Sequence, residues 1–183
     1  MSKHTISEVW DAALSVQAYV LRLAGGETIM VRPIQLQDAD RLQVYVRNLC
    51  VESRRNRFLG ALSELAPTQL DRLTRMHGPG ELALLAFTAT GGATHLIGEA
   101  VMVTAPGGRS EIALSVADAW QRRSLGTLLM QNLECRARML GARHMFGEVL
   151  RGNTAMRALA DKAGFSVHSP RAPTRGWWKS SRT

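Results

Sequence analysis

Lysine is scarce in this 183-residue chain: Lys3, Lys162 and Lys179 are the only three among 23 basic residues, and the rest are arginine. Cysteine is scarcer. Cys50 and Cys135 stand far apart in no CxxC or Cys/His spacing, which excludes a disulfide framework and leaves reduced thiols as the expectation. Each falls on a predicted apolar helix face and reads as a small buried hydrophobe. Aromatics are 5% of the residues, too few for a base-stacking platform, and no zinc-finger, KH or RNP-like motif occurs, so nucleic acid is disfavoured as a partner. No apolar run approaches the ~20 residues that span a bilayer. Glu8 and Asp11 interrupt the N-terminus where a signal peptide needs an apolar stretch, so an unprocessed, cytoplasmic protein is expected. The five histidines lack ligand spacing and no metal is assigned.

What is present is enough core for one compact domain, 45% hydrophobic, with a net charge of +8 that attracts polyanions, whether nucleic acid, a nucleotide cofactor's phosphates or an acidic protein. The expected organisation is a single domain over 1–183, with 1–18 as an N-terminal extension and 169–183 as a basic tail. That tail holds Trp177 and Trp178 and is a candidate cover for an acceptor cleft or a homodimer contact.

The patterns run in an informative order. ISEVWDAALSVQA reads as a helix; Tyr19 to Leu23 and Thr28 to Pro33 flank AGGE as a hairpin; DADRLQVYVRNLC and the segment after Pro67 read as helices. SRRNRF between them reads either as a solvated loop or helix end, or as an anion contact. From Glu81, three strands separated by Gly91-Gly92 and Pro106-Gly107-Gly108 form an antiparallel meander, with strand, helix and strand patterns alternating after it. The fold class expected is α/β (α+β), a mixed and mostly antiparallel sheet flanked by helices.

Between the strand SEIALSV and the helix that starts near Ser124 lies AWQRRSLGT. A strand ending at a helix N-terminus presents free N–H groups and the positive dipole end to one point, which suits a pyrophosphate. Arg122 and Arg123 add charge, Gly126 permits close approach, and Ser124 is a good N-cap.

Here the sequence resembles the GNAT acyltransferase superfamily, whose acetyl-CoA loop is written Q/R-x-x-G-x-G/A. Gln121 and Gly126 match, and Ser124 replaces the first glycine. GNTAM through AGF resembles the family's later helix, opened by an asparagine and closed by Gly-Phe. IMVRPIQLQDADRL, ESRRNRFLG, SEIALSVADAWQ and GEVLRGNTAMRALADKAGF resemble, more narrowly, the acetyltransferase domain of Pat-type protein lysine acetyltransferases. The resemblance implies an acetyl-CoA-dependent N-acetyltransferase with an amine acceptor, either a small molecule or a protein lysine. Its implied cofactor residues are Gln121, Arg122, Arg123, Ser124, Leu125, Gly126 and Thr127 on pyrophosphate, Asn153 on pantetheine, and the backbone of Leu114, Ser115 and Val116. Asn153 also reads as an ordinary N-cap.

An ammonium has no lone pair for attack, so a general base is expected. Glu111 opens the strand before the loop, where family members place a catalytic glutamate; Glu148 and Glu99 are rivals, Glu99 with solvent as its other reading. Ala160 stands where many members carry an acid tyrosine. Two other readings stand beside transfer: a non-catalytic CoA-binding module, and a basic nucleic-acid-binding protein.

Overall fold

The structure, a computed structural model, describes residues 18–23, 26–76, 78, 80–168 and 175–180. The helix read in ISEVWDAALSVQA lies outside these residues except for Ala18.

One eight-stranded sheet runs in the order β1-β2-β3-β4-β5-β6-β8-β7, comprising β1 (Tyr19–Arg22), β2 (Thr28–Pro33), β3 (Glu81–Thr90), β4 (Ala93–Ala105), β5 (Arg109–Val116), β6 (His144–Leu150), β7 (Phe165–His168) and β8 (Arg175–Ser180). Every pairing is antiparallel except β5 with β6. Helices α1 (Ala39–Asn48), α2 (Val51–Phe58) and α3 (Pro67–Thr74) precede the meander, and α4 (Leu125–Met139) and α5 (Thr154–Lys162) follow it.

Local chemistry sets these bounds. Gly91 and Gly92 have φ of 59° and 79°, the left-handed pair that a two-residue hairpin between β3 and β4 demands. Pro67 opens α3 where its missing N–H costs nothing. Asp38, fully buried beside α1, accepts from Arg32 Nη1 at 2.6 Å, Arg32 Nη2 at 2.7 Å and Gln35 N at 2.8 Å, which docks the helix onto β2. Burial opposes its charge, but those donors outweigh burial and hold the carboxyl below its ordinary pKa.

The sheet separates two cores. Leu82, Leu84 and Ala86 of β3 join the cluster that includes Leu125, Leu129 and Leu133 of α4, whereas Ala83, Leu85 and Phe87 join Leu42, Tyr45 and Val46 of α1. β3 is thus buried on both faces, each leucine contributing about 1.5–3 kcal/mol. A Cβ at Gly98 of β4 would lie 3.2 Å from Leu129 and 3.3 Å from the Ser115 carbonyl, so glycine there lets α4 seat closely on the sheet.

SRRNRF forms the last six residues of α2, the helix-end reading and not the loop; Cys50 caps the helix, and Arg57 reaches Glu99 of β4. Within the expected tail, 175–180 form β8, inserted between β6 and β7 with Trp177 opposite both Glu148 and His168. Tryptophan favours strands, but the surrounding prolines, glycine and charges concealed the signal.

Candidate active site

The ladder between β5 and β6 is short: Arg109 pairs with His144, Ser110 with Met145 and Glu111 with Phe146, and there it stops. β5 continues along β4 as far as Val116 opposite Gly98, while β6 continues along β8 as far as Leu150 opposite Arg175. From Ile112 to Val116, therefore, β5 has a partner on one side only. Successive residues of a strand turn their N–H and C=O groups to opposite sides, so this half presents unpaired donors and acceptors to a gap. Leu114 and Val116 direct their side chains into the α4 and α5 core, and Ser115 directs its hydroxyl to the α1 face. What lines the gap is backbone, from alternate residues of this stretch, with the Val116 carbonyl already accepting from Gln121.

At the end of this half-strand, a 3-10 turn (Asp118–Trp120) leads into residues 121–127. Arg122 and Ser124 adopt φ of 58° and 67°, an alternation that turns backbone N–H groups toward a common point beside the first turn of α4. The N–H groups of Leu125, Gly126 and Thr127 have no acceptor within the helix. Leu125 buries its side chain, and a Cβ on Gly126 would meet Leu159 at an ordinary 3.4 Å. Arg122 is exposed; Arg123 pairs with Glu27 at 3.0 Å and lies over the Trp120 ring at 5.1 Å.

Ser124 occupies the N-cap position in the left-handed region, and its side chain makes no capping bond, contrary to the expected cap. The left-handed backbone itself explains why glycine is usual here. Ser124→Gly is expected to raise stability by about 0.5–1 kcal/mol, the relief of left-handed strain less the added unfolded-state entropy, measurable as a rise of roughly 1–4 °C in Tm. An unchanged or lowered Tm would count against strain at this position.

Gln121 is turned inward: its Nε2 donates to Ser53 Oγ at 3.1 Å and to Val116 O at 3.3 Å. Beside it Asp118 accepts from Cys50 N at 2.7 Å and Ser53 Oγ at 2.6 Å. Burial works against the Asp118 charge, yet these bonds prevail and lower its pKa. Cys50 is therefore no buried hydrophobe: it is exposed, caps α2 by accepting from Ser53 N at 3.3 Å, and donates its thiol to Asp118. Cys135 is half-buried beside Met139, and burial raises its thiol pKa. Asn153 caps α5, its Oδ1 accepting from Met156 N at 3.0 Å. Ala160 is fully buried.

Glu111 is exposed at the last paired position, where the gap opens. Glu148 is exposed two residues beyond Phe146 on the same sheet face. Glu99 lies on that face as well but is only 4% exposed, which corrects its solvent reading. Arg57 of α2 grips it through Nε and, at 3.1 Å, through Nη2; Ser115 Oγ donates to it at 2.8 Å and meets Tyr45 Oη at 2.9 Å. Burial alone would weaken the Arg57 charge; the Glu99 carboxylate reverses this and raises its pKa. Burial, reinforced by Glu99, raises Tyr45 in turn. Paired in this way, Glu99 is not a free base. Tyr45, Ser53 and Asp118 were not singled out in the sequence. For Arg57 the dense SRRNRF was the signal.

Among the described residues, no group of His, Cys, Asp and Glu is placed to hold a metal, and no helix is long and apolar enough to cross a membrane.

A sheet that parts beside a helix N-terminus, with an acid at the parting, is matched by a family model over residues 50–165: the chain belongs to the acetyltransferase (GNAT) family. It is 30% identical over 155 residues to acetyltransferase PA5475 of Pseudomonas aeruginosa, covering 84% of this chain and 83% of that one. The GNAT domain of S. lividans PAT superposes with a TM-score of 0.80 at 25% identity, covering 97% of this chain and 98% of that one. The fold is also that of yncA from Salmonella typhimurium, solved with its cofactor acetyl-CoA, with a TM-score of 0.61, 16% identity and coverage of 82% and 92%.

Proposed function

We propose that this single-domain acetyltransferase uses acetyl-CoA to acetylate a primary amine, with Glu111 as general base. The observation that carries the reading is the end of the β5–β6 ladder at Glu111 and Phe146, which leaves a half-strand of free backbone running from an exposed carboxylate to a helix N-terminus. Val116 stands five residue steps along the strand from Glu111, roughly 16 Å, a spacing that suits a thioester at one end and a pyrophosphate at the other.

The residues fit such a cosubstrate. The N–H groups of 124–127 and the Arg122 and Arg123 charges would hold pyrophosphate, Leu114, Ser115 and Val116 would bond the pantetheine amides through their backbones, and Asn153 retains its Nδ2 donor for the same arm. Bound acetyl-CoA supplies the thioester carbonyl. Glu111 accepts the proton that the amine must lose, since an alkyl ammonium near pKa 10 is inert at neutral pH. A β5 N–H at the gap would offer a donor to the carbonyl oxygen on which charge develops. With Ala160 buried, α5 supplies no acid at that position for the leaving thiolate.

The resemblance of ESRRNRFLG and GEVLRGNTAMRALADKAGF to Pat-type enzymes, together with the likeness to the S. lividans domain, favours a protein lysine as acceptor. At 100 times its Kd, acetyl-CoA is expected to add about 2.7 kcal/mol of stability, read as a Tm rise of roughly 5–11 °C, and Arg123→Glu to abolish it. No rise at saturation overturns the cofactor assignment. A panel of peptides and small amines then identifies the acceptor; binding without transfer to any would favour a CoA-binding module instead.

A further inference from the structure

The open half of β5 poses a mechanical problem. Backbone groups that lose a ladder gain by recovering it, so a strand paired on one side would drift back toward β6 unless something else fixes it. We propose that Tyr45, Arg57 and Glu99 are positioning residues that, through the Ser115 hydroxyl, hold β5 away from β6 at the width the cofactor needs. The inference rests on the reading of the gap as the acetyl-CoA site.

Ser115 is near the end of the unpaired half, and its hydroxyl turns to the α1 face, away from the gap. There it is held from two directions, by Tyr45 Oη of α1 at 2.9 Å and by Glu99 Oε1 of β4 at 2.8 Å. Glu99 is itself fixed by two donors on one edge of the Arg57 guanidinium, Nε and Nη2, and Arg57 belongs to α2. Tyr45, Glu99 and Ser115 are buried, at 4%, 4% and 9% exposed, and the Arg57 side chain is 11% exposed. Apolar side chains of similar volume would pack as stably in such a place, so what the polar chain adds is direction. Three residues on, a second anchor repeats the arrangement: Asp118 and Gln121 are tied to Cys50 and Ser53 at the other end of α2. The lateral position of the half-strand is therefore set by the helical layer. Glu111, by contrast, stands where β5 is paired on both sides, so loosening the latch leaves the base in place.

This separation defines the test. Tyr45→Phe and Ser115→Ala each remove one oxygen and open no large cavity; Arg57→Lys keeps the charge and loses the fork; Ser115→Thr keeps the hydroxyl. Acetyl-CoA affinity is measured by calorimetry and steady-state kinetics at a temperature well below every Tm. The first three variants are expected to weaken acetyl-CoA binding about fivefold to thirtyfold, the loss of one buried hydrogen bond, with KM for acetyl-CoA rising in parallel. For Tyr45→Phe and Arg57→Lys the kcat at saturating acetyl-CoA and the KM for the amine should stay within about twofold, Ser115→Thr should restore affinity, and the Tyr45→Phe/Ser115→Ala pair should bind no more weakly than the worse single variant because both break one chain. Lowered Tm with unchanged acetyl-CoA affinity would reduce the network to a structural role and overturn the proposal, as would a fall in kcat alone. Should the unaltered protein itself fail to bind acetyl-CoA, the cofactor reading falls with it; binding by the unaltered protein and by every variant alike overturns only the latch.

Discussion

Glu111→Gln is expected to lower kcat by about 10²- to 10⁴-fold, the range a positioned general base contributes, while acetyl-CoA affinity stays at its normal value. The substitution is isosteric and the residue is exposed, so stability should move by no more than about 0.5 kcal/mol. Affinity should hold because the groups assigned to the cofactor begin beyond Glu111, on the unpaired half of β5 and in 121–127. Glu148 shares the sheet face, and Glu148→Gln is the matched control, with an expected loss below about tenfold. Rates at several pH values, at saturating acetyl-CoA, separate the two. Full turnover by Glu111→Gln would remove it as the base without touching the fold.

The second large effect is on stability. Arg57→Ala is expected to cost about 3–5 kcal/mol, the usual consequence of leaving a buried carboxylate without its partner. For a chain of this size that is a fall of roughly 6–20 °C in Tm. Glu99, 5% exposed at its side chain, would keep only Ser115 as a donor. Replacing both partners, as Arg57→Met with Glu99→Leu, should recover most of the loss. Thermal melts of the single and double variants test both statements; a loss below about 1 kcal/mol for Arg57→Ala would mean that the buried Glu99 carboxylate does not depend on Arg57.

The elements were legible where their signals are local. Gly91-Gly92, Pro67 and the Asn153 cap each act within a turn of chain, and the structure has a hairpin, a helix start and a helix cap at those places. The gap was not legible. Its cause is where two strands, 35 residues apart at Glu111 and Phe146, stop bonding, and no residue within β5 marks the point. Glu99 read as a surface acid because its partner Arg57 is 42 positions away. Cys50 read as a buried hydrophobe because apolar spacing continues to it, whereas the helix breaks at Leu49 and a new one begins. Gln121 was expected to face the cofactor; its amide also donates to Ser53 and to the Val116 carbonyl, which ties the loop to α2, a link between residues 68 positions apart that the sequence did not display.

The division of β3 between two cores has a consequence for how such a protein changes over time. Leu82, Leu84 and Ala86 answer to the layer that carries 121–127 and α5, while Ala83, Leu85 and Phe87 answer to the layer of α1, α2 and α3. One strand thus addresses two workshops through alternate residues. Substitutions can accumulate in α1, α2 and α3 away from Tyr45, Ser53 and Arg57, with the odd-numbered residues beneath them repacking, while the even-numbered ones go on supporting α4 and α5.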